Sequence, residues 1–280
     1  MSSSLRELLL GEWTMETKKT KENHDIIVKW IETWFKDKTG PAVIGISGGK
    51  DSTVCAALLA EALGKERVIG VMMPNGEQKD IDDSKKVCEL LGIKSLTVNI
   101  GEAYKSLTGA ICVNLMEDVA VGNLDDEIPS LYSTNTPARL RMTALYGVAA
   151  IFGGFVCNTC NLSESIVGWE TYGGDGFGDF APIGKLTKTE VVELGDYMKL
   201  PQELVHKAPS DGMCGATDED KLGFTYETLD TYIREGLRPK ARETFDRIMF
   251  LHKKSHFKHE NIRIPTCDID ASICEDFDWN

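Results

Sequence analysis

Between Ile46 and Ser52 the chain reads Ile-Ser-Gly-Gly-Lys-Asp-Ser, two adjacent glycines followed at once by a lysine, a carboxylate and a hydroxyl. Adjacent glycines reach backbone angles that a side chain forbids and let the main chain approach a ligand closely. A helix that starts directly after them offers unpaired N–H groups and the positive end of its dipole. Together these make an anion cradle of phosphate size. The spacing is neither Gly-x-x-x-x-Gly-Lys-Ser/Thr nor Gly-x-Gly-x-x-Gly. The same residues also suit a tight strand-to-helix turn with an Asp/Ser cap.

Further groups with chemical potential lie downstream. Arg139 and Arg141 stand two apart at what the pattern gives as a helix start, so they face different ways. One can be a surface residue and the other a ligand, since a guanidinium fork suits carboxylate or phosphate. Glu164 follows Thr159 at the end of a strand-like run, and lone glutamates are usually solvated. The glycine-rich stretch from Thr171 to Gly184 excludes regular structure, and its Asp175 and Asp179 can bind ribose or amide groups or hydrate a turn. Cys157-x-x-Cys160 supplies two thiols, too few for a tetrahedral zinc site without a second pair. Cys157 ends an apolar run and reads as a packing thiol.

The elements that must position these groups follow from hydrophobic periodicity. Pro41–Ser47, Arg67–Met73 and Ser95–Ile100 are short apolar runs of strand length. Asp51–Leu63, closed by Gly64, and Asp80–Leu91, closed by Gly92, carry helical stripes; in the second, Ile81, Val87, Leu90 and Leu91 share a face. Two strand–helix–strand units in succession imply a parallel sheet with right-handed crossovers. Ala138–Phe152 is expected to be helical, Phe155–Asn158 a strand, and Thr187–Met198 a helix capped by Thr187. The phosphate-type loop then lies where the first strand meets the first helix. The fold expected is α/β, a doubly wound parallel sheet with helical additions at both ends, and its ligands belong at the carboxyl ends of the strands.

Composition narrows the class. Over 280 residues, 31 Lys and Arg face 44 Asp and Glu, a formal charge of −13, which disfavours nucleic acid or an anionic membrane as partner. No apolar run approaches the ~20 residues of a membrane span, and the N-terminus lacks a signal-peptide core. Eight cysteines in a chain of this length, 280 residues, are read as reduced thiols in a cytoplasmic protein. No internal repeat or linker divides the chain, so residues 1–280 are read as one domain, with an α/β core over about 23–230 and a C-terminal helix and tail over 231–280.

The stretch Val43–Ser52 resembles the pyrophosphate loop of the N-type ATP pyrophosphatases, whose fold is adenine nucleotide alpha hydrolase-like. Asn135-Thr-Pro-Ala-Arg139-Leu-Arg141-Met142, Asn158-Thr159-Cys-Asn-Leu-Ser-Glu164, Gly173-Gly-Asp175-Gly-Phe-Gly-Asp179 and Pro182-Ile-Gly-Lys-Leu-Thr187-Lys188 continue the likeness toward the NAD+ synthetases of that superfamily. Lys207-Ala-Pro209-Ser210 and Leu222-Gly-Phe-Thr-Tyr-Glu extend it, in order, from about residue 23 to the C-terminus. The resemblance implies that ATP is bound by Gly45, Ile46, Ser47, Gly48, Gly49, Lys50, Asp51 and Ser52, with Thr159, Lys188 and Ser210. It implies that Asp51 and Glu164 hold Mg2+, and that Arg139, Tyr172, Asp179 and Lys258 meet deamido-NAD+ (nicotinic acid adenine dinucleotide).

The implied reaction amidates the nicotinate carboxylate: ATP adenylates it with loss of pyrophosphate, free ammonia attacks, and AMP leaves. A homodimer with the dinucleotide across its interface is implied too. Two positions depart from the family pattern: Tyr172 stands where bacterial relatives commonly carry Lys, and Phe257-Lys258 stands at a His-Lys pair, flanked by His256 and His259. Two alternatives use the same loop differently. A tRNA-thiolating enzyme would pair it with Cys157-x-x-Cys160 but is disfavoured by a charge of −13, and a silent nucleotide-binding protein is disfavoured by the intact Asp51, Glu164, Lys188 and Ser210.

Overall fold

The computed structural model describes residues 3–77, 81–118, 129–207, 217–260, 264–269 and 271–277, with the side chains of 3–17, 114–118 and 260 excepted. Four strands, β1 (Ala42–Gly45), β2 (Val68–Met72), β3 (Lys94–Thr97) and β4 (Phe155–Cys157), form one sheet in the order β3-β2-β1-β4. Every pairing is parallel, with Val43 opposite Ile69 on one side and Val156 on the other. The central strands are buried on both faces, as their unbroken apolar sequences require.

Alternation along β1 and β2 divides two cores. Ala42, Ile44, Val68 and Met72 face one layer, packed by α1 (Ser3–Trp34), α2 (Lys50–Leu63) and α3 (Ile81–Leu91). Val43, Ile69 and Val71 face the other, where Met142, Leu145, Val148 and Ala149 cover them from α5 (Ser130–Phe152), beside α4 (Gly101–Asp118). Helices on both faces make the sheet doubly wound, as expected. A third core joins α6 (Leu162–Val167), α9 (Asp218–Leu222), α10 (Tyr226–Glu235) and α11 (Arg242–Ser255) around Tyr232 and Phe277. Between them run α7 (Lys188–Tyr197), against α1, α2 and α10, and the short α8 (Gln202–Val205). The helical additions therefore enclose the sheet from both ends, and α10 runs across residue 231.

Two expectations need correction. Helix α5 starts at Ser130, eight residues before Ala138, and carries Pro137 inside it, so Arg139 and Arg141 sit well within the helix rather than at its start. A proline inside a helix removes an amide donor and crowds the preceding turn, so Pro137 is unusual within α5. Leu90 is 54% exposed rather than on the buried face of α3, where Val87 and Cys88 do the packing. Helix α4 went unread because Gly109 and the β-branched Thr108, Ile111 and Val113 weaken its helical signal. Ser210 and Cys214 lie outside the described residues.

Candidate active site

The loop after β1 keeps the strand's direction for one more residue: the Ile46 amide donates to Val71 O at 2.9 Å. Gly48 then adopts φ +77°, and a Cβ there would stand 2.9 Å from Cβ of Asp83 on α3. Both facts restrict the position to glycine. The hydroxyls stiffen the turn: Ser47 Oγ lies 3.0 Å from Ser52 Oγ and accepts from the Gly49 amide at 3.2 Å, while Ser52 Oγ and Thr53 Oγ1 donate to Gly49 O at 3.1 and 2.8 Å. Gly49 is the N-cap of α2 and lays no side chain over the first turn. Lys207 reaches the same loop indirectly, through its 2.8 Å bond to Asp83.

Asp51, in the first turn of α2, meets Glu164 of α6, 113 residues further along the chain, through a shared set of partners. Lys188 Nζ donates to Asp51 Oδ2 at 2.9 Å and to Glu164 Oε1 at 2.7 Å. Asn161 takes the other two oxygens, its side-chain amide bonding Asp51 Oδ1 at 2.9 Å and its backbone amide bonding Glu164 Oε2 at 3.2 Å. Asn161 and Glu164 form a capping box on α6. Burial, reinforced by repulsion from Asp51, outweighs the Lys188 ammonium and pushes the Glu164 carboxyl up to about 7. Burial pulls the Lys188 ammonium down, but Asp51 and Glu164 more than reverse it and hold it well above the lysine range. Burial and Lys188 together lower neighbouring Lys50.

Lys188 is the first residue of α7, and the start of that helix is fixed independently. Thr187 and Glu190 form a capping box. Asp230 of α10 accepts from Ser163 Oγ at 2.5 Å, from the Thr189 amide at 2.8 Å and from Thr189 Oγ1 at 2.7 Å, and Ser163 Oγ in turn accepts from the Lys188 amide at 2.9 Å. Tyr226 closes this end: its ring centroid is 5.1 Å from Lys188 Nζ, and its buried hydroxyl has no hydrogen-bond partner among the described residues.

The second group assembles on α5, β4 and the glycine-rich segment. Arg139 is exposed and its Nε donates to Tyr172 O at 3.1 Å. Asp179 accepts from Tyr146 Oη at 3.1 Å and from the Val156 amide at 2.8 Å. Asn158 ties the segment to the end of β4, donating to Asp175 O and Phe177 O at 2.9 and 3.0 Å and accepting from the Cys160 amide at 2.9 Å. Gly178 permits this approach, since a Cβ there would stand 2.7 Å from that of Asn158. Thr159 lies between Asn158 and Cys160, at the carboxyl end of the sheet. The exposed Tyr172 ring contacts Phe177 at 5.5 Å and Phe257 at 5.8 Å. Lys258 is turned toward the chain itself: Nζ donates to Gly168 O at 2.7 Å and to Glu170 O. Arg141 likewise donates to Met73 O at 3.0 Å, so of the two arginines it is Arg139 that faces out.

The structure thus gathers Asp51, Glu164 and Lys188 beside the loop after β1, and it joins Arg139 to Tyr172; Asp179 is held separately, by Tyr146 and beside Val156 of β4. Sequence reasoning quoted Asn161 within a motif but gave it no role; Asn-x-x-Glu before an apolar run is a capping-box signal. Asp230 and the Tyr226 hydroxyl carried no such mark. Among the described residues no group of three or more His, Cys, Asp or Glu side chains is placed to hold a metal ion.

A family model described as NAD synthase matches residues 24–262. The chain belongs to the NAD synthase family. Among curated NAD synthases it is 41% identical over 227 residues to the NH3-dependent NAD+ synthetase of Methanococcoides burtonii, spanning 78% of this chain and 81% of that one. It is 37% identical over 251 residues to the same enzyme of Methanocaldococcus jannaschii, spanning 86% and 90%. Among solved structures, an NMN synthetase from Francisella tularensis superposes with TM-score 0.76 at 31% identity, covering 88% of this chain and 98% of that one.

Proposed function

We propose that this NAD synthase converts deamido-NAD+ to NAD+, using ammonia as the nitrogen source and cleaving ATP to AMP and pyrophosphate. Family membership supports the reaction. The single observation that carries the mechanism is the convergence of Asp51, at the mouth of an anion cradle, and Glu164 on one centre of positive charge, Lys188 Nζ at 2.9 and 2.7 Å.

A carboxylate is a poor electrophile, so its activation as an adenylate precedes amidation. The turn Ser47–Gly49 and the N-terminus of α2 receive the pyrophosphate as charge grows on it, helped by Lys50 and Lys188. Asp51 and Glu164 fit Mg2+, which is commonly bound by one or two carboxylates together with substrate phosphates. When bound, that ion neutralises the phosphate charge. Thr159 and Ser210 complete the ATP side in this reading. Arg139, Tyr172 and Asp179 hold the acceptor, and Lys258 shapes its site by fixing the carbonyls of Gly168 and Glu170. No side chain forms a covalent bond; positioning and charge carry the catalysis.

We read residues 1–280 as one synthetase domain that acts as a homodimer. Leu107, Ile111 and Val113 on α4 and Leu131 and Ile151 on α5 leave large apolar side chains exposed on adjacent helices, which supports pairing there. The described cysteines are all free, which suits a cytoplasmic setting. Among the described residues no helix is long and apolar enough to cross a membrane.

One observation favours a second reading, amidation of nicotinic acid mononucleotide. The structural relative at TM-score 0.76 is an NMN synthetase. Tyr172, rather than a cation, also lies beside Arg139. The test supplies both acids separately to purified protein with ATP, Mg2+ and ammonium and compares kcat/KM. The dinucleotide is expected to be preferred; a higher value for the mononucleotide would overturn the first reading in favour of the second.

A further inference from the structure

The Asp51–Glu164 pair has four carboxylate oxygens, and each one is engaged. Asn161 holds Asp51 Oδ1 through its side-chain amide and Glu164 Oε2 through its backbone amide, the second bond being part of the capping box of α6. The remaining two, Asp51 Oδ2 and Glu164 Oε1, both receive Lys188 Nζ, at 2.9 and 2.7 Å. An ion bridging the two carboxylates needs those same oxygens. The ammonium and a divalent cation are therefore alternatives at one position. Side-chain exposures of 6% for Lys188, 18% for Asp51 and 13% for Glu164 make the alternation costly to leave half-done, because a buried charge without a partner is strongly unfavourable.

The backbone of Lys188 does not need to move for the exchange. Its amide is bonded to Ser163 Oγ at 2.9 Å and the next amide to Asp230 at 2.8 Å, so the start of α7 stays fixed and only the four-carbon side chain turns. An ammonium leaving two carboxylates requires another anion. The cradle beside it, built from Ser47–Gly49 and the first turn of α2, is where a polyphosphate would supply one.

We propose that Lys188 is a built-in counter-ion that occupies the divalent-cation position of the ligand-free protein, so that nucleotide and metal bind in a coupled fashion. The polyphosphate draws the ammonium off Asp51 and Glu164 and opens their oxygens to the metal. The coupling is reciprocal, each ligand raising the affinity of the other by the same factor. The inference rests on the reading that Asp51 and Glu164 are the metal ligands.

The test is Mn2+ binding to the full-length protein without nucleotide, followed by the paramagnetic resonance signal of free Mn2+. Lys188→Met, checked for folding by its thermal transition, is expected to bind Mn2+ at least about tenfold more tightly than the parent. Lys188→Gln serves as a second, polar variant. Equal or weaker binding in either folded variant would overturn the counter-ion role. Adding Asp51→Asn to Lys188→Met is expected to abolish the gain; tight binding that survives in the double variant would instead refute the metal-ligand reading beneath it. A measurement on the parent needs no variant: crystals soaked in Mn2+ alone are mapped by anomalous scattering. Mn2+ bridging Asp51 and Glu164 while Lys188 Nζ keeps both its bonds would refute the proposal, and Mn2+ there only with Lys188 turned away, or none at all, supports it.

Discussion

Replacing Gly48 with alanine separates the loop's two requirements. The residue sits at φ +77°, a region that costs an L-residue about 1–2 kcal/mol. Its new Cβ would also stand 2.9 Å from Asp83 Cβ and 3.1 Å from the Ser84 amide, so the start of α3 must shift. Overpacking of that kind adds about 1–3 kcal/mol. The sum, about 2–5 kcal/mol, corresponds to a fall in Tm of roughly 3–9 °C for a chain of this size. Gly223→Ala is the internal control, with φ +84° and nothing within 4 Å of the added Cβ; it keeps the backbone cost and omits the clash. Misplacing the cradle should lower kcat/KM for ATP by about a hundredfold. The assays are thermal melts and initial rates over ATP concentration. A Gly48→Ala protein that melts no lower than Gly223→Ala and turns over ATP normally would refute the cradle.

Asp51→Asn and Glu164→Gln should each slow turnover by at least about a hundredfold while folding survives, because Asn161 keeps an acceptor in both; near-normal rates at limiting Mg2+ would remove that residue from the metal shell. The Glu164 carboxyl is raised from 4.5 to about 7, so the folded state holds a proton that the unfolded chain has lost, and stability from this group is full below 4.5 and declines as pH rises to about 7. Stability measured across that interval should decline less in Glu164→Gln than in the parent; an identical decline would mean that Glu164 is not the source. Burial pushes the Cys55 and Cys160 thiols well up, and the Cys157 and Cys160 thiols donate to the carbonyls of Asn158 and Asp175 at 3.3 Å. Cys157→Ala with Cys160→Ala should therefore keep turnover within a few-fold, and rapid labelling of Cys157 or Cys160 themselves in the native protein at pH 8, read by peptide mass mapping, would contradict this packing role.

The parallel sheet and its loop were legible because each element is signalled locally. Apolar runs of strand length, Gly64 and Gly92 at helix ends, and Thr187 as a cap all follow from short-range chemistry. Helix α4 and the first two turns of α5 were not, because propensity there is weak and Pro137 reads as a stop although tertiary packing buries it. At the site, the motifs identified Asp51, Glu164 and Lys188 singly. Their meeting on one ammonium depends on sequence separations of 137 and 24 residues, which no local pattern encodes. Lys258 looked like a substrate cation on sequence alone, and the fold turns it onto the backbone of residues 168–170.

Adenylation of the substrate carboxylate is the central claim, and isotope transfer tests it most directly. Deamido-NAD+ carrying 18O in both carboxylate oxygens is turned over with ATP, Mg2+ and ammonium, and the products are read by mass spectrometry. If a carboxylate oxygen attacks the α-phosphorus and ammonia then displaces AMP, one 18O appears in the AMP phosphate, one remains in the NAD+ amide, and pyrophosphate carries none. Unlabelled AMP, or ADP and phosphate in its place, would contradict the account.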